Sequence, residues 1–154
     1  MNNQKPTNKE LLAEVKTLGE RPDMKEGGLT IALEHIATTT RDIFGAECVL
    51  NIEKNVYITD PNVATNLYYI VLEAVNNFVN YARASKITIN MNIVDDKLEI
   101  SIRDEGAVPV LHKEKVNGED LKIMEYRSRL IGASFALQQD ETGSHTVTIG
   151  NIGI

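Results

Sequence analysis

Glu73 and Asn77 stand four residues apart in the segment VATNLYYIVLEAVNNFVNYARAS. On a helix, positions i and i+4 share one face, so a carboxylate and an amide would meet there in a polar site beside an apolar stripe. The plainer reading is a solvated helix face. Asp104 closes an alternating run and is followed by Glu105 and Gly106, an acidic turn that is ordinary at a hairpin exit and informative only through its position. His112, Lys113 and Lys115 lie in a connection longer than most, and such loops often act as lids. A helix start near Gly118 offers free backbone N–H groups and a dipole that attract anions, although Glu119 and Asp120 can satisfy that dipole themselves. Of His35, His112 and His145, no two are spaced as metal ligands, and the lone Cys48 builds neither an internal disulfide nor a Cys-rich zinc site. Zinc chemistry is therefore not expected, and the cysteine count favours a reducing compartment.

These residues need elements to hold them. Leu11, Leu12, Val15 and Leu18 suggest a short helix ended by Gly19 and Pro22, so residues 1–26 read as a helical arm or linker and residues 27–154 as the domain. A helix is expected from about 28 to 44, with Leu29, Ala32, Leu33 and Ile36 on one face and Gly45 as its stop. Short β-branched runs predict strands at 48–52 and 55–58. Asp60 can cap and Pro61 fits the first position of a helix over 61–84, whose stripe runs Val63, Leu67, Ile70, Val71, Ala74, Phe78, Ala82. The period then falls to two: Ile87, Ile89, Met91 and Ile93, a turn at Asp95 and Asp96, then Leu98, Ile100 and Ile102, which is an antiparallel hairpin. After the long loop from 105 to 118, a helix over 119–131 and strands over 133–139 and 145–149 complete the chain. Only alternate strand residues are apolar, so one sheet face is dry and the other wet, and the helices should cover a single face.

Composition fits one ordinary domain. The chain has 154 residues, 42% hydrophobic and 25% charged, with a net charge of −6. That balance gives no general attraction to nucleic acid or anionic lipid, so any phosphate ligand must be held locally. The polar start MNNQKPTNKELL carries no secretory-type apolar stretch, and no run approaches the about 18 apolar residues of a membrane helix. A cytoplasmic protein without nucleic-acid or direct membrane contact is expected.

From about residue 27 to 150 the sequence resembles the ATP-binding domain of bacterial sensor histidine kinases, in the branch with short ATP-lids. The resemblance rests on GGLTIALEHI, FGAEC, the helical segment containing Glu73 and Asn77, RDEGAVP, NGEDLKIMEYRSRLIG and DETGSHTVTI. It implies the histidine-kinase-like ATPase fold, an α/β two-layer sandwich with a mixed, mainly antiparallel sheet and helices on one face, and ATP with Mg²⁺ as ligands. Within it, Asn77 would ligand Mg²⁺, Glu73 would orient or activate water near the phosphates, and Asp104 would read the adenine amino group with Gly106 against the base. Lys113 and Lys115 in the lid, with Gly118 and Leu121 at the following helix start, would lie along the phosphates. Asn80 takes the place of a basic phosphate contact. The partners implied are a phosphoacceptor and dimerisation domain or another kinase chain, and a response regulator.

Four positions depart from the family pattern: Asn80, Val108, Asp120 and His145. Asp120 replaces a glycine of the phosphate cradle, and a carboxylate about 4 Å from one phosphate charge costs about 4 kcal/mol at an effective dielectric near 20, nearly three decades in affinity before screening by salt and Mg²⁺. His145 stands where the family has a threonine completing the adenine pocket, while Thr146 would face the other side of its strand. No phosphoacceptor histidine followed by an acidic residue is present, since His35 precedes Ile36. Two readings stay open: a catalytic-type domain that presents Mg-ATP to a histidine elsewhere, with weakened nucleotide binding, and a degenerate pseudo-ATPase acting as a protein-binding regulatory module. A standalone serine kinase of the anti-sigma type shares the fold but fits the short-lid resemblance less well.

Overall fold

The computed structural model describes residues 27–54, 56–105 and 118–153. The elements run α1 (Gly28–Thr39), a π-helical turn (Thr40–Phe44), β1 (Glu47–Ile52), α2 (Pro61–Asn80), β2 (Lys86–Val94), β3 (Lys97–Glu105), α3 (Gly118–Leu130), β4 (Ser134–Gln139) and β5 (His145–Ile152). The proposed arm at 1–26 lies outside the described residues, as does the stretch 106–117 that holds Gly106, Val108, His112, Lys113 and Lys115.

Local chemistry sets the boundaries. The expected 28–44 helix forms, but its last turn widens to π geometry before Gly45, whose φ of 69° is the left-handed stop glycine tolerates. Asp60 caps α2 by accepting the N–H of Asn62 at 2.9 Å, with Pro61 in the first turn. This helix ends at Asn80 rather than at 84. Arg83 turns left-handed at φ 53°, and the N–H of Ala84 returns to the carbonyl of Phe78 at 3.0 Å, closing the C-terminus. Asp95 and Asp96, at φ 51° and 62°, give the β2–β3 hairpin a turn whose twist matches its strands. The strand expected at 55–58 is absent over 56–58, where a non-repeating segment drops Val56 into the core and leaves Tyr57 exposed.

The five strands lie in the order β1-β2-β3-β5-β4; β1 pairs with β2 in parallel and every other pair is antiparallel. Ile87, Ile89, Met91, Leu98, Ile100, Ile102, Val147 and Ile149 point to one face and join the helices in a single buried cluster. The alternate residues, among them Thr88, Asn90, Ser101 and Thr148, are only half-buried. The sandwich is therefore two-layered, and its candidate site residues lie where α2 and α3 meet the end of β3 and the start of β5.

Candidate functional site

One flank of α2 carries Asn66, Tyr69, Glu73 and Asn77 at helical spacing. Facing it is α3, running antiparallel: Asn77 near the end of α2 meets Asp120 near the start of α3, while Asn66 meets Arg127. Asn77 is buried, and its amide nitrogen donates to the Asp120 carboxylate at 2.9 Å. Arg127 donates to Asn66 Oδ1 at 3.2 Å and lies 4.5 Å from the centre of the Tyr69 ring, a cation–π contact. Glu73 sits half-buried between these two ends. Burial and the Asp120 charge raise its pKa above the ordinary 4.5, with Arg127 opposing. Asp120 is itself raised from 3.8, by burial and by Glu119. The seam is thus acidic at the start of α3 and basic one helix turn beyond its middle.

At the other end of the site, Asp104 on β3 is buried completely. Its partner is His145, the first residue of β5: the backbone N–H donates to Asp104 Oδ1 at 2.6 Å, and ring Nδ1 lies 3.0 Å from Oδ2. This pairing calls for the Nδ1–H tautomer, so both carboxylate oxygens are engaged by one residue. The imidazole also stacks on Phe78 of α2, with centroids 6.0 Å apart and planes 20° from parallel. The preceding turn fixes where β5 begins. Asp140 accepts from the Thr142 hydroxyl, pairs with Arg103 at 2.8 Å and accepts from the N–H groups of Thr142 and Ser144, contacts that together outweigh its desolvation and hold its carboxyl down at about 2.

No protein-family model matches the sequence, and no curated protein does. Solved structures do match. The histidine kinase domain from the Erythrobacter litoralis EL346 blue-light activated histidine kinase aligns over 79% of this chain and 63% of that chain, at 20% identity and a TM-score of 0.62. The ATP binding domain of PrrB from Mycobacterium tuberculosis aligns over 79% of this chain and 91% of that chain, at 17% identity and a TM-score of 0.59. The chain has the fold of a histidine kinase ATP-binding domain. A third histidine kinase, AdeS from Acinetobacter baumannii, aligns over 95% of this chain and 75% of that chain at 16% identity and a TM-score of 0.63. The chain spans 63% and 52% of the two EL346 chains it matches.

Within this histidine kinase fold the expected site residues separate into groups. Glu73 and Asn77 share one helix face, as their spacing requires, and Asp104 sits in the adjoining strand. Asn80 is turned away, its amide donating to Asn76 Oδ1 and to the Asn76 carbonyl along its own helix. Gly118 opens α3, and Leu121 is half-buried against the core. Thr146 pairs with Arg103 in the sheet register and is half-buried, which leaves His145 as the β5 residue beside Asp104. Sequence reasoning recorded His145 only as a misfit and gave Arg127 no partner. The available signal for the first was its chemistry, a flat donor-bearing ring in place of a small hydroxyl beside an expected buried carboxylate.

Among the described residues, the Asp104 carboxylate is paired with His145, the Asn77 amide nitrogen is tied to the Asp120 carboxylate, and Glu119 and Asp120 open α3. Among the described residues no helix is long and apolar enough to cross a membrane.

Proposed function

We propose that this chain is a histidine kinase-type ATP-binding domain that keeps the fold, has closed its own nucleotide site, and acts as a regulatory module through protein contacts. The observation that carries this reading is the buried His145–Asp104 pair, in which the imidazole stands over the carboxylate expected to read adenine and stacks on Phe78. Asp120 supports it at the other end by holding Asn77, the amide expected to ligand Mg²⁺. Partners consistent with the reading are another kinase chain, a phosphoacceptor domain or a response regulator.

The alternative, in which the domain presents Mg-ATP to a histidine elsewhere, draws on Glu73 and Asn77 lying side by side. It requires His145 to leave Asp104, and the Asp120 carboxylate beside Asn77 to be neutralised or moved from the phosphate charge. Isothermal titration of the chain with ATP and a non-hydrolysable analogue, with and without Mg²⁺, separates the two readings. The parent is expected not to bind, and a His145→Thr, Asp120→Gly double variant is expected to gain Mg-dependent binding. Micromolar Mg-dependent binding by the parent would overturn the closed-site reading and direct attention to a partner histidine.

A further inference from the structure

The sheet ends on two edges, β1 and β4. An edge strand presents unpaired N–H and C=O groups, and proteins guard such edges with charge, proline or a covering side chain. β1 is guarded: Glu47 opens it, and the outward carbonyl of Cys48 accepts from the Arg41 guanidinium at 2.9 Å. β4 reads SFALQQ, without charge or proline, in a chain that is 25% charged. Its ladder shows which of its groups are free. The N–H of Asp140 donates to the carbonyl of Ser144 at 2.9 Å, so these two form a hydrogen-bonded pair. Bonded and non-bonded pairs alternate along antiparallel strands. In the register Ala136↔Thr148 and Gln138↔Thr146, the even-numbered residues of β4 therefore bond to β5, and Phe135, Leu137 and Gln139 turn their N–H and C=O groups outward. Among the described residues no strand pairs with that side. On the dry face Phe135 and Leu137 adjoin the fully buried Ile149 and Val147, yet are only half-buried themselves, because the apolar rows stop there.

We propose that β4 pairs antiparallel with β4 of a second copy of this chain, joining two five-stranded sheets into one. The strand is complementary to itself, and this sets the register. Outward groups meet only where odd-numbered residues oppose odd-numbered ones, which also keeps the two dry faces on one side. Setting Ala136 opposite Ala136 of the second copy satisfies both conditions. Phe135 and Leu137 then each face the other's counterpart in hydrogen-bonded pairs, an aromatic and an aliphatic side chain that extend the apolar rows. Ser134 faces Gln138 of the second copy on the open face. Ala136, the smallest side chain of β4, falls on the two-fold, in a non-bonded pair where the backbones come within about 4.5 Å. Each copy carries a net charge of −6, and the uncharged edge is where two copies meet without like charges opposed. The two-fold closes the contact, and the guarded β1 edge stops the sheet from growing further.

Sedimentation velocity of the full chain from about 1 μM to about 1 mM tests this. The parent is expected to shift from monomer toward dimer. Ala136 is exposed among Ser134, Gln138 and Thr148, so a charge placed there should leave the thermal melt of the monomer unchanged. Ala136→Lys and Ala136→Glu each oppose like charges across the two-fold, and each should weaken the dimer at least about fivefold. An equimolar mixture of the two variants should recover it as a mixed dimer. Amide exchange at Phe135 and Leu137 should slow as concentration rises, while exchange at Leu50, on the outer edge of β1, should not. A parent that stays monomeric, a dimer indifferent to either charge, a mixture without recovery, or slowing at Leu50 instead would overturn the proposal. The dimer is also expected in the His145→Thr, Asp120→Gly variant, so its failure is distinguishable from failure of the closed-site reading.

Discussion

At the scale of single residues, the buried Asp104 sets the sharpest demand for partners. A carboxylate with no exposed surface needs donors, and His145 supplies two from one residue. Truncation to alanine leaves the backbone donor and removes the ring donor and its stacking on Phe78. His145→Ala is expected to cost about 3 kcal/mol, in the range for breaking a buried pair from one side. Urea unfolding of parent and variant measures it, and a loss below about 0.5 kcal/mol, the scale of a surface change, would show the pair to be incidental. His145→Thr, which keeps a hydroxyl donor, should lose less.

At the scale of elements, the α2–α3 seam and the β4–β5 turn respond to pH in opposite senses. Glu73 and Asp120 are raised above 4.5 and 3.8 in the folded chain, which therefore binds protons more readily than the unfolded one. Their contribution is fully favourable below those ordinary values and is lost as pH rises through the raised ones. Asp120→Asn keeps an oxygen for the Asn77 donor and removes the charge. It should stabilise by up to about 1 kcal/mol at neutral pH, discounted for partial exposure, and by nothing near about pH 4. Equal effects at both pH values would contradict this origin. Asp140 behaves oppositely: its carboxyl is held at about 2, so its hold on the turn is intact above 3.8 and is lost as pH falls through about 2. Amide exchange at Thr142 and Ser144 should quicken only across that acid window. Among the helices, Phe78→Ala should cost about 3 to 5 kcal/mol, since Phe78 fills the core under α2 and backs the His145 ring.

At the scale of the whole molecule, ligand linkage gives a test that needs no assay of activity. A ligand that binds only the folded state raises its stability by about 2.7 kcal/mol at a hundredfold excess over its Kd. Mg-ATP is expected to leave the melting temperature of the parent unchanged and to raise that of the His145→Thr, Asp120→Gly variant. A rise in the parent would reopen the ATP-presenting reading.

The sequence by itself determined the layers. Period-two alternation in Ile87–Ile93 and Leu98–Ile102, the Asp60–Pro61 cap and the stripe through Phe78 are local patterns, and local patterning with burial on one face is enough to choose helix, strand and sheet side. The Glu73–Asn77 face was legible for the same reason, since both lie on one helix. The end of α2 at Asn80 and the missing strand at 56–58 were not, because apolar content there is also served by a capped turn and by a loop anchored through Val56. Only the tertiary structure decided what the site residues touch. Asp104 and His145 are 41 positions apart and Asn77 and Asp120 are 43 apart, so each pair is made by sheet register and helix packing. No spacing rule reaches across such distances; what joins these side chains is the need of buried polar groups to find partners once the core has brought their elements together.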